Sequence, residues 1–183
     1  MKIELFVLPE KTRADFMDAF VLTRDEFKTA HPDFVTRLER DATDYDAWYS
    51  RAYIWDKMSP DLPAVTVRDA LNLLRSREGT VLFMSEPEIS GNPGGLLHHG
   101  RQVHNYVAMA DPHELADRIE YEWFEGHRLF LEDCYLTDAI LPEDLYVFDT
   151  TLDWVIVFTH ETDPDYDGKP EGAETRFCMA YGS

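Results

Sequence analysis

Apolar residues along this chain follow two rhythms. In the first half they recur every three or four positions, which gathers side chains on one face of a helix; in the second half they alternate or run together in short stretches, as strands require. A short strand over residues 2–8 is closed by Pro9. Phe16, Phe20 and Phe27 then fall at near-helical intervals and predict an amphipathic helix over 11–28. Pro32 suits the first turn of a second helix, where its missing N–H forfeits no bond, and Phe34, Val35 and Leu38 give that helix its apolar side. Tyr45, Trp48, Tyr49, Ala52 and Trp55 make one broad aromatic face of a third, the usual mark of a core-filling helix. Thr66 with Asp69 is a variant capping box, opening a helix that buries Val67, Leu71 and Leu74 and stops at Glu78-Gly79.

Residues 80–85 (TVLFMS) read as a strand, and the Pro- and Gly-punctuated EPEISGNPGG after them as a loop. Residues 103–109 alternate as a strand does. Asp111, Pro112 and Glu114 start a helix expected to reach about residue 131, with Leu115, Ile119, Trp123 and Phe130 inward. Strands over 144–149 and 154–160 are joined by four turn residues, and 175–181 adds one more. The strand cores YVF and WVIVF are apolar on both sides, so they should be interior strands covered on each face. Helices first, then strands with a long helix, predict one α+β domain over 1–183: N-terminal helices packed on a largely antiparallel sheet that carries a C-terminal hairpin.

Charge narrows the functional classes. Lys plus Arg is 17 against 36 Asp plus Glu, a formal net charge of −19, which repels nucleic-acid phosphate and anionic membrane surfaces and favours encounter with a basic protein. The apolar runs are far too short to cross a bilayer. Cys134 and Cys178 make neither a zinc spacing nor a disulfide framework. Reduced thiols and the lack of an export signal lead to an expected cytoplasmic location.

The segments DLYVFD (144–149) and DWVIVFTHE (153–161) resemble the end of a family of small bacterial domains of unknown function, whose members carry D-[IL]-Y-V-V-D followed by W-x-x-V-x-T-H-E. Those domains similarly have an aromatic-rich middle helix and then a strand like VLFM. The resemblance implies the same α+β fold and brings no established biochemistry with it. This chain departs from the pattern after Glu161, where its loop is longer and more acidic.

That loop matches the calcium-binding template D-x-[DN]-x-[DN]-G-x5-E at Asp163, Asp165, Asp167, Gly168 and Glu174. Alternate carboxylates would curl round the ion and glycine would allow the sharp turn. Lys169 would offer its carbonyl, Glu171 would take the ninth position and Glu174 would close the cage. Against this, Pro170 lacks the N–H usually paired at the eighth position, and the flanks read as strands rather than helices. Calcium site and solvated acidic turn both stay open.

Zinc chemistry from His98, His99, His104, His160 and Glu161 lacks the H-E-x-x-H spacing. In a regular strand His160 and Glu161 point to opposite faces and cannot share an ion. The expectation for His160 is a hydrogen-bonded histidine near a strand end. Gly91-Asn92-Pro93-Gly94-Gly95 lacks the Gly-Lys-Ser/Thr ending of a phosphate loop, no nucleophile elbow is present, and Cys134 follows directly on Glu132 and Asp133, acids that blunt its reactivity. The sequence therefore leads to a non-catalytic, acidic, cytoplasmic protein that binds a basic partner, a toxin-neutralising immunity protein being the most concrete form. Its first candidate surfaces are Asp41, Asp44 and Asp46 and the loop 163–174. The alternative is a metal-dependent enzyme or calcium-stabilised module using that loop.

Overall fold

The structure is a computed structural model that describes residues 2–59, 62–86, 96–98, 101–122, 141–142, 144–162 and 176–182. Among these described residues seven strands form one sheet: β1 (Glu4–Leu5), β2 (Ala64–Val65), β3 (Val81–Met84), β6 (Ala108–Ala110), β7 (Leu145–Phe148), β8 (Val155–Thr162) and β9 (Arg176–Tyr181). Their order is β1-β6-β3-β7-β8-β9-β2, and every neighbouring pair is antiparallel. A separate two-stranded ribbon pairs β4 (Leu96–His98) with β5 (Arg101–Val103). The fold is α+β, as its sequence pattern predicts.

Both faces of the sheet are covered, which is why the central strands are apolar without alternation. Val81, Phe83, Leu145, Val147, Ile156 and Phe158 pack against α5 (Val67–Arg75) and α6 (Pro112–Glu120). The residues between them, Leu82, Met84, Tyr146, Phe148, Val155 and Val157, face α1 (Pro9–Phe20) together with Ile54, Met58 and Leu62. Phe16 anchors the second layer, fully buried with its ring 4.8 Å from Phe148 and 5.8 Å from Tyr146. The caps at Thr66 and Asp111 are formed as their sequences predict: Thr66 accepts from the Asp69 N–H, and Asp111 from His113 and Glu114.

Three expectations change. The helix over 11–28 is two helices, α1 and α2 (Arg24–Ala30), because Val21 turns to an extended conformation and Thr23 with Glu26 builds a reciprocal capping box that starts α2. Phe27 therefore leaves the main core and centres a satellite cluster with α3 (Pro32–Arg40) and α4 (Tyr45–Arg51), its ring 5.2 Å from Trp48 and 5.9 Å from Phe34. Trp55 is not on α4, which ends at Arg51; it opens a 3-10 turn (Trp55–Lys57). The strand over 103–109 is divided by Asn105 at φ 51, so Val103 belongs to the ribbon and Ala108 to the sheet. Among the described residues no helix is long and apolar enough to cross a membrane.

Candidate functional site

Adjacent antiparallel strands in the middle of the sheet bring the end of β3, the start of β7 and the far end of β8 to one end of it. Polar groups gather there from each. Asp144, just before β7, is 5% exposed and receives the His160 backbone N–H at 2.9 Å. Its two oxygens also lie 2.8 and 2.9 Å from His160 Nδ1. A carboxylate at Nδ1 fixes the plane of the imidazole and turns Nε2 outward. The histidine near the strand end is hydrogen-bonded, as expected.

Its relation to Glu161 is not the expected one. β8 and β9 pair in register at Phe158 with Cys178 and next at Thr162 with Arg176, so residues 159–161 bulge opposite a single residue of β9. The bulge cancels the alternation that would separate neighbouring side chains, and His160 Nε2 lies 3.4 Å from Glu161 Oε1. Tyr53 and Trp55, stacked at 5.5 Å and 8°, present their rings nearly edge-on to the imidazole at 5.1 and 6.5 Å.

Glu86, two residues past β3, forms the deeper half. It is 3% exposed, and Oε1 accepts from the Ile54 N–H at 2.7 Å and from the Tyr146 hydroxyl, which itself accepts from the Trp55 N–H at 3.1 Å. Burial pushes the Glu86 carboxyl up to about 7, and the negative charge of Asp144 adds to this, while the bonds from Tyr146 and Ile54 and the Lys57 cation oppose it. Glu86 Oε2 and Trp55 Nε1 are buried with no hydrogen-bond partner among the described residues. Asp56 is also raised, first by burial and then by Glu161 and Asp144. Four carboxylates from separate segments thus feel one another across this end of the sheet.

Residues of the two segments 144–149 and 153–161 make several of their polar contacts with each other and one with Glu86. Asp144 holds His160, Asp149 accepts from the Trp154 indole N–H at 2.7 Å, and Tyr146 bonds Glu86. The motif staples its own hairpin at both ends.

The three helical aspartates are exposed and have local work. Asp41 ends α3 beside Arg40, Asp44 caps α4 by accepting from the Asp46 and Ala47 N–H groups, and Asp46 pairs with Arg24 at 3.2 Å. Asp163, Asp165, Asp167, Lys169, Glu171 and Glu174 lie outside the described residues, as do Cys134, His99 and the turn 91–95. Cys178 is buried on β9. Among the described residues no group of three or more His, Cys, Asp or Glu is placed to hold a metal ion. Sequence reasoning missed Glu86 and Asp144. The signal for Glu86 is slight: a lone acid directly after the apolar run VLFMS. No family model matches the chain, and neither does any curated protein or any solved structure.

Proposed function

We propose that this chain is a non-catalytic binding protein that works in the cytoplasm by engaging a basic protein partner, with toxin neutralisation by an immunity protein as the most concrete form. The observation that carries the reading is where the charge lies. Residues 111–183 contain nineteen Asp and Glu against four Lys and Arg, whereas residues 1–110, which include Asp41, Asp44 and Asp46, contain seventeen against thirteen. An uneven field of this kind steers a cationic surface and speeds its association. The buried polar groups at the sheet end fit a structural role as well, since Asp144 and Glu86 spend their bonds on joining β7, β8 and the turn after α4.

Capture on the immobilised protein from a lysate of its source, followed by titration of the purified pair, tests this. The expected partner is basic, its affinity falls steeply as salt rises, and lysine at Asp41 and Asp46 weakens it less than neutralising the acids of 163–174. Retrieval of no basic partner, or a complex indifferent to salt, overturns the reading. A second reading rests on the ligand spacing of Asp163, Asp165, Asp167 and Glu174, which supports a calcium-stabilised loop. Millimolar calcium then raises the melting temperature and Asp165→Ala abolishes the rise; an unchanged melting curve removes it.

A further inference from the structure

At the other end of β7 from Asp144, a cavity of about 370 Å³ lies among the end of α1, Ser59 and Leu62, the turn from β7 to β8 and the end of β9. That volume falls at the small end of the range that holds small-molecule ligands. Its lining is mixed. Phe20, Leu62 and Leu152 bring apolar side chains, while Ser59, Asp153 and Tyr181 bring polar groups. Phe20 and Leu62 are buried, whereas Tyr181 is 49% exposed and Asp153 is exposed as well. Asp153 is the one charged residue among the described lining residues. Its backbone N–H donates to Thr151 Oγ1 at 3.2 Å, and its carboxylate has no hydrogen-bond or ion-pair partner among the described residues.

The turn that carries Asp153 is stiff. Leu152 stands at φ 58, a conformation that a residue with a side chain keeps only when its surroundings impose it. The Asp149 carboxylate helps to impose it, accepting from the Thr151 N–H, the Thr151 hydroxyl and the Trp154 indole at 2.8, 2.6 and 2.7 Å. On the far side Gly182, at φ 83, lets the end of β9 lie against the same turn, since a Cβ there would stand 2.6 Å from both the Asp153 carbonyl and Trp154 Cβ. A carboxylate on so fixed a backbone gives up little freedom when a ligand engages it.

We propose that this cavity binds a small organic ammonium ion with an aryl or branched-alkyl body, the ammonium pairing with Asp153 and the body lying against Phe20, Leu62 and Leu152. The Tyr181 ring adds a face that attracts a cation. The net charge of −19 draws cations of every kind toward the protein; the cavity selects those with an apolar body. The site goes beyond the binding of a basic protein and requires no such partner.

The probe is phenethylamine, titrated into the full chain at neutral pH and followed by two-dimensional NMR. The methyl resonances of Leu62 and Leu152 and the ring resonances of Tyr181 should move first and saturate at millimolar concentration. Phenethyl alcohol, with the same body and no charge, should bind about tenfold more weakly, and Asp153→Asn should reduce the amine's affinity to about the level of the alcohol's. Tyr181→Ala should weaken amine and alcohol alike. Asp165→Ala should leave the amine's affinity unchanged, which separates the cavity from general attraction to the acidic loop. Should Asp153→Asn fail to fold, the comparison of amine with alcohol on the wild type decides alone. Shifts spread over the acidic surface without saturation, equal affinity for amine and alcohol, or unaltered affinity in Asp153→Asn each overturns the proposal.

Discussion

Glu86 fastens three pieces of chain with one oxygen, joining the end of β3 to Tyr146 on β7 and to the turn that carries Ile54. The arrangement favours its neutral form, since burial lifts the carboxyl from 4.5 to about 7. For an acid raised in the folded state, the contribution to stability is complete below the unfolded value and is lost as pH climbs through the folded one. Stability should therefore decline between about pH 4.5 and 7 on account of this residue. Glu86→Gln keeps an acceptor for both donors and removes the ionisation. In urea denaturation it should match the wild type at pH 4 and exceed it by about 1–3 kcal/mol at pH 8; parallel pH profiles for the two proteins would contradict this account. Asp149 works in the opposite sense. Burial would raise its carboxyl, but the bonds from Thr151, Trp154 and Leu152 outweigh burial and leave it lowered, so its contribution disappears only in acid. None of this is legible from residue type. Asp144, Glu86 and His160 are far apart in sequence, and they meet only once strand register and the bulge after Phe158 are set.

The helices divide by how local their determinants are. Thr66 and Asp111 cap α5 and α6 through groups two or three residues away, so sequence alone reveals both starts. Asp111→Ala should cost about 1 kcal/mol in a chemical melt, with the loss concentrated in α6. The break after Phe20 was harder to read, because Phe16, Phe20 and Phe27 keep helical spacing straight through it. What divides them is a competition: the Thr23–Glu26 capping box and the Leu22 N–H bond to the Lys57 carbonyl at 2.9 Å outweigh continued helix. Phe27 then builds a cluster with Val35 and Tyr45 apart from the two that line the sheet. This satellite should open on its own. Hydrogen exchange of the amides of α2, α3 and α4 should precede that of β3, β7 and β8 by orders of magnitude, and Phe27→Ala should widen the gap. Uniform exchange of both groups would show instead one cooperative unit.

The whole molecule carries a net charge of −19 on 183 residues, and repulsion within the folded state must set part of its stability. Added sodium chloride should raise the melting temperature by screening that repulsion, most at neutral pH and little near the pI of about 4.5. A melting temperature that falls with salt would place the weight on attractive ion pairs such as Arg75 with Asp117 and Glu120. The class and the two-sided burial of the sheet were readable because strand apolarity reports cover directly. The strand order was not, since nothing local tells β6 to lie between β1 and β3. Among the described residues that order also leaves the sheet with outermost strands, β1 and β2, of two residues each. A stub this brief offers a stray extended chain too few backbone groups to latch onto. Concentrated solutions of the native protein should accordingly grow no fibrils from those margins, even though the central strands between them are almost wholly greasy.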